Sequence, residues 1–162
     1  MSNLKNEVER FNDNADVGDA YTPPASWYRN KDFLELEKRS LFLKEWTFAG
    51  HTTDLKDQGD YFTGNIANRP FVVLKDDDKV KAYFNVCSHH GTCVARGKGN
   101  QENLICPYHG WQYNLEGHLK KVPKAGAILN IHKKGLNLKE IPVHVAGSFV
   151  FLFLGDGEVA SF

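Results

Sequence analysis

The sequence is poor in the features that would assign many common protein classes. Three cysteines in 162 residues are too few, and odd in number, for the disulfide framework that staples small secreted domains. No apolar run approaches the roughly 18–20 residues that a bilayer-spanning helix needs; the longest, 149–154, reads as one buried strand. Neither sign of charge is in excess, with 20 basic residues against 20 acidic ones, so neither a nucleic-acid footprint nor affinity for an anionic membrane is expected. The first residues carry Glu7, Glu9, Asp13, Asp16 and Asp19 and lack an apolar segment. That is unlike a secretory leader, and organelle transit peptides are poor in acidic residues. The expectation is a cytoplasmic, or at least reducing, compartment. Internal repeats and low-complexity tracts are also missing.

What is present is an ordinary globular composition, 41% hydrophobic and 25% charged, in a chain long enough for one domain with a proper core. Residues 1–30 read as irregular, because Asn and Asp are frequent and Pro23-Pro24 blocks a helix. Asn30 can cap a short helix over 31–44, with Phe33, Leu34, Leu41 and Phe42 on one side and Glu35, Lys38 and Arg39 facing water. From Trp46 onward the pattern changes to short strands, at 46–51, 61–66, 71–74, 80–86, 104–105, 111–115, 141–145 and 149–154. Asp57-Gln58-Gly59, Asp76-Asp77-Asp78 and Glu116-Gly117 supply the turns, and Pro142 sits near a strand start, where its missing donor does least harm. The predicted organisation is an irregular arm with a short helix over 1–45, an all-β domain of small antiparallel sheets over 46–156, and a tail over 157–162.

Two segments stand apart from the strands. Cys87-Ser88-His89 follows one strand-like run and Cys106-Pro107-Tyr108-His109 follows another, with sixteen residues between His89 and Cys106. Each offers one thiolate and one imidazole, and two such loops at one end of a sheet make a Cys₂His₂ donor set. Ligand type alone leaves zinc, copper and iron–sulfur open. Zinc fingers pair cysteine with cysteine and histidine with histidine, whereas here each loop gives one of each. That favours a two-iron, two-sulfide cluster clasped by both loops, with Cys87 and Cys106 on one iron and His89 and His109 on the other. Two neutral imidazoles in place of thiolates raise the potential to roughly −150 to +300 mV, against about −400 mV for an all-cysteine plant-type cluster.

The pair Cys-x-His and Cys-Pro-Tyr-His-Gly-Trp, so spaced, resembles the Rieske signature of ring-hydroxylating oxygenase large (alpha) subunits. Ser26-Trp27-Tyr28, Trp46, Gly59-Asp60-Tyr61-Phe62-Thr63-Gly64, Asn85-Val86-Cys87 and Gly147-Ser148-Phe149-Val150-Phe151 extend the likeness to about residues 24–155. Among members, these are most similar to choline monooxygenase-like proteins. The resemblance implies a Rieske 2Fe-2S cluster on Cys87, His89, Cys106 and His109. Respiratory members add a cysteine to each cluster loop; Tyr108 stands at that place here, which leaves no loop-bridging disulfide. High-potential members carry a serine two residues after the second histidine, where this chain has Trp111. Tyr113 occupies the place of the family's tyrosine near a ligand sulfur, so a potential at the low end of the range is implied. Cys93 reads as a small hydrophobe buried beside the cluster, His90 as pointing away from it, and Gly91 and Gly110 as allowing close backbone approach. Trp111 reads as a packing shield, and His51, His118, His132 and His144 as surface or strand histidines.

Family oxygenases also hold a non-haem iron on two histidines and a carboxylate in a C-terminal domain. The matching Asp/Glu-x₂-His-x₄-His pattern is not in this sequence, so the chain alone is not expected to activate oxygen. The implied role is an electron-transfer module that takes single electrons from a reductase or ferredoxin. It would pass them to the mononuclear iron of an oxygenase catalytic domain or subunit, in a homo-oligomer or not. A stand-alone ferredoxin-like carrier is the alternative, and a non-redox remnant a third reading.

Overall fold

The run Phe71-Val72-Val73-Leu74 determines how the β domain is layered. All four side chains are buried, and because strand side chains alternate between faces, they serve two cores at once. Val72 and Leu74 pack with Tyr61, Tyr83, Leu104, Tyr113 and both Cys87 and Cys106. Phe71 and Val73 pack on the other side with Phe62, Ala82, Ile141, Val150, Leu152 and Leu154. Burying each such aliphatic side chain stabilises the fold by roughly 1.5–3 kcal/mol, which ties both layers to one strand.

The computed structural model describes residues 2–123 and 135–162. They divide into two units, Met1–Leu41 and Phe42–Phe162. Ten strands are described in the second: β1 (Thr47–His51), β2 (Asp60–Ile66), β3 (Arg69–Asp76), β4 (Lys79–Phe84), β5 (Lys98–Asn100), β6 (Asn103–Ile105), β7 (Gln112–Asn114), β8 (Leu119–Lys121), β9 (Val143–Ala146) and β10 (Phe149–Leu152). They form three antiparallel sheets in the orders β1-β10-β9, β4-β3-β2-β5 and β6-β7-β8. The β2–β3 connection is a two-residue hairpin with Ala67 and Asn68 both at positive φ, 52° and 63°, as the right-handed strand twist demands. The tail is not loose. Trp46 Nε1 donates to the Ala160 carbonyl at 2.7 Å, and Phe162 stacks on His144 at 3.8 Å.

The first unit differs from the sequence expectation. Residues 1–30 are not wholly irregular, since α1 (Ser2–Glu9) and α2 (Ala25–Arg29) lie within them. Pro24 is the N-cap of α2, a place where a missing N–H costs nothing, so the proline pair starts a helix. Asn30 does cap the next helix, α3 (Lys31–Glu37), its side chain accepting from the Asp32 N–H at 2.9 Å. The α-helix stops seven residues short of the expected 44, giving way to a π-helical turn, Lys38–Phe42. Arg39 Nε donates to the Glu35 carbonyl at 3.1 Å, taking the acceptor that a continuing α-helix would offer to Arg39's own N–H. Phe33 is buried, but Leu34 and Leu41 are exposed. Instead, Phe33 stacks on Trp27 at 5.2 Å, and Trp27 meets Phe11 at 5.3 Å.

Candidate metal centre

Two loops with one backbone design carry the expected donors. After β4, the Cys87 N–H donates to the Thr92 carbonyl at 2.8 Å and the Gly91 N–H returns to the Cys87 carbonyl at 2.9 Å. After β6, the Cys106 N–H donates to the Trp111 carbonyl at 2.8 Å and the Gly110 N–H returns to the Cys106 carbonyl at 2.9 Å. Gly91 and Gly110 close the two turns at φ 75° and 72°, the left-handed region that favours glycine. At Gly91 an added Cβ would meet nothing within 4 Å, so conformation, not space, requires glycine there. Residue for residue, Cys87 matches Cys106, His90 matches His109 and Thr92 matches Trp111.

The turns send the thiols inward and the imidazoles outward. Cys87 and Cys106 are each 2% exposed, and burial first, then the facing Cys106, pushes the Cys87 thiol up. His89 and His109 are exposed, with ring centroids 4.6 Å apart. His89 lies flat on Trp111, at 4.7 Å and 7° between planes. Its imidazolium is disfavoured by desolvation first and then by His90 and His109. The structure thus brings together Cys87 with Cys106 in the core and His89 with His109 at the surface.

Second contacts fix these positions. Tyr113 Oη lies 3.3 Å from Cys87 Sγ and accepts the Ser88 N–H at 3.1 Å. The Tyr113 phenol is held well above its ordinary pKa, by burial first and by Cys87 next, so it stays protonated. Asn85 has a role that the sequence pattern does not announce. It is 2% exposed; its Oδ1 accepts the N–H groups of Val94 and Ala95, at 2.8 and 3.0 Å, and its Nδ2 donates to the Ala95 carbonyl at 2.9 Å. Asn85 therefore pins both ends of the first loop. A lone buried amide next to a ligand motif was the available signal.

Several neighbours depart from expectation. His90 does not point away, because its ring is 5.3 Å from that of His109 and the donor atoms of His89, His90 and His109 lie within 4.8 Å of one another. The loop is a tight turn closed by Gly91, not an extended segment, and this swings residue 90 to the same side. Cys93 is half-buried and lines a shallow hollow with Thr63, Pro70 and Arg96, so it is not a fully buried packing residue. All three cysteines are free. His118 sits on a turn 3.4 Å from Glu116, His144 is in β9, and His51 ends β1 against Phe149 at 5.0 Å; His132 lies outside the described residues. Among the described residues no helix is long and apolar enough to cross a membrane.

Comparison with known proteins places this geometry. Residues 45–142 match the family described as the Rieske [2Fe-2S] domain. The chain is 38% identical over 154 residues to the chloroplastic choline monooxygenase of Spinacia oleracea, covering 94% of this chain and 35% of that protein. It is 33% identical over 155 residues to the carnitine monooxygenase oxygenase subunit of Escherichia coli (strain K12), covering 94% and 41%. Among solved structures, the apo form of the quaternary ammonium Rieske monooxygenase CntA superposes with a TM-score of 0.76 at 26% identity, over 87% of this chain and 42% of that one. Naphthalene 1,2-dioxygenase with indole bound gives 0.66 at 30%, over 78% and 29%. The chain thus spans well under half the length of these relatives.

Proposed function

Because the chain belongs to the Rieske [2Fe-2S] domain family, we propose that Cys87, His89, Cys106 and His109 are the four ligands of its 2Fe-2S cluster and that the chain serves as the electron-transfer module of an oxygenase. The observation that carries this reading is that two loops closed in the same way supply two buried thiols, Cys87 and Cys106, and two exposed imidazoles, His89 and His109, whose ring centroids are 4.6 Å apart. The donor set fits the group: soft thiolates suit iron–sulfur, imidazole suits iron, and the described cysteines are free to ligate. When bound, the cluster supplies a one-electron redox couple.

The chain's own residues do the rest. Cys87 and Cys106 anchor from the hydrophobic core, Tyr113 and the Ser88 N–H hold the first thiolate's surroundings, and Trp111 lies flat against His89. His89 and His109 present the outward edge, where a partner can approach. By function we assign residues 46–156 to the cluster domain, 1–45 to an arm and 157–162 to a tail, the compact unit that holds the strands beginning at Phe42. The donor is a reductase or ferredoxin, and the acceptor is the mononuclear iron of an oxygenase catalytic domain or subunit, in a system of the choline monooxygenase type. The names of the relatives, choline and carnitine monooxygenases, support that class.

The test is redox titration of the purified protein with two variants. Reversible one-electron reduction is expected in the wild type and in Ser88→Ala, whose hydroxyl donates to the Asn137 carbonyl at 3.2 Å and not to a sulfur. His109→Ala should lose the couple. A wild-type protein without a reversible couple, or His109→Ala with an unchanged one, would overturn the reading.

A further inference from the structure

Trp111 is 7% exposed and belongs to the same core as Cys87, Cys106 and Tyr113. Its backbone closes the second loop, through its carbonyl and the Cys106 N–H, while its ring covers the ligand of the first, lying parallel to His89. The equivalent place in the first loop is held by Thr92, which has no ring to offer. His109 instead has Tyr108 stacked on it at 3.9 Å and 27°, and Tyr108 is 63% exposed. The two imidazoles are therefore supported differently, one by a buried indole and one by a solvent-exposed phenol.

We propose that Trp111 is a positioning residue for the cluster, fixing the plane of the His89 imidazole and excluding water from that side. The inference rests on the assignment of His89 as a ligand. A flat ring packed within the core has one orientation, and an imidazole stacked on it in offset-parallel geometry inherits that orientation. Water exclusion has a definite electrostatic sign. Two thiolates balance the charge of the oxidised cluster, and one added electron leaves a net negative charge, which a less polar surrounding disfavours. Trp111 therefore holds the potential down, in addition to displacing any hydroxyl donor from its position.

The experiment compares wild type, Trp111→Phe and Trp111→Ala by electron paramagnetic resonance of the reduced protein and by potentiometric titration. Trp111→Phe keeps a stacking ring and should match the wild type in both. Trp111→Ala should alter the anisotropy of the signal and favour reduction about tenfold, which is a rise of 59 mV for one electron. An alanine variant with wild-type signal and potential would overturn the proposal. If that variant does not load a cluster, Trp111→Leu replaces it, filling space without a flat ring: a changed signal supports the proposal and an unchanged one overturns it. Absence of any histidine-ligated signal from the wild type would instead refute the ligand assignment, so the two failures are separable.

Discussion

The hydroxyl of Tyr113 lies 3.3 Å from Cys87 Sγ, and its oxygen accepts the Ser88 N–H; a ligating thiolate can only accept, so toward a cluster-bound Cys87 the hydroxyl would be the donor. A donor to a ligand sulfur stabilises the added electron. Tyr113→Phe should lower the midpoint potential, by roughly 60 mV if the bond favours the reduced state tenfold; potentiometry that finds no drop would contradict the contact. The wild type should lie toward the low end of the Rieske range, and a midpoint well above about +150 mV would contradict this, since the resemblance puts Trp111 at the place of the serine donor. At this scale the sequence is most informative about which residues can act as donors, because residue type and spacing single out Cys87, His89, Cys106 and His109. It misled on His90, since the direction of that side chain depends on the positive φ of Gly91, which glycine permits but does not reveal.

Elements were legible where burial wrote a pattern into them. The strands from Tyr61 to Leu74 and the hairpin at Asp76–Asp78 read clearly, since alternating apolar residues face two cores. Lys98–Asn100 is exposed throughout and became β5 only by pairing with β2, a tertiary fact without a local signature. β8 is similar, pairing with β7 through Leu119. The first cluster loop depends in turn on Asn85. Asn85→Ala would strand two buried backbone N–H groups and a carbonyl, at about 1–3 kcal/mol for each lost partner. Urea denaturation should show a loss of at least about 2 kcal/mol, together with less iron per chain; wild-type values in both would refute the pinning role.

On the scale of the whole molecule, a surface ion-pair cluster links the end of the β domain to its middle. Asp156, beyond β10, pairs with Arg69 of β3 at 2.5 Å and with Lys139 at 3.0 Å. Arg69 first, and Lys139 next, hold its carboxyl well below the usual carboxylate range. The sign follows: the pair's contribution is complete above the ordinary value of about 3.9 and is lost as pH falls below it toward the depressed folded-state value. Because Asp156 is exposed, the effect is small. Melting temperatures should fall less steeply on acidification in Arg69→Gln than in wild type, and parallel acid limbs would contradict the assignment. None of this long-range pairing could be read from a balanced overall charge, whereas the layered all-β plan could be read from strand periodicity.

One thiol and one imidazole from each loop are proposed to hold a two-iron cluster. Pulsed electron paramagnetic resonance of the reduced protein, resolving nitrogen couplings, tests it most directly. Two inequivalent imidazole nitrogens should couple to the cluster spin, with one coupling lost in any cluster that His109→Ala still retains. A paramagnetic cluster without nitrogen coupling, or a colourless protein carrying a single zinc ion, would contradict it.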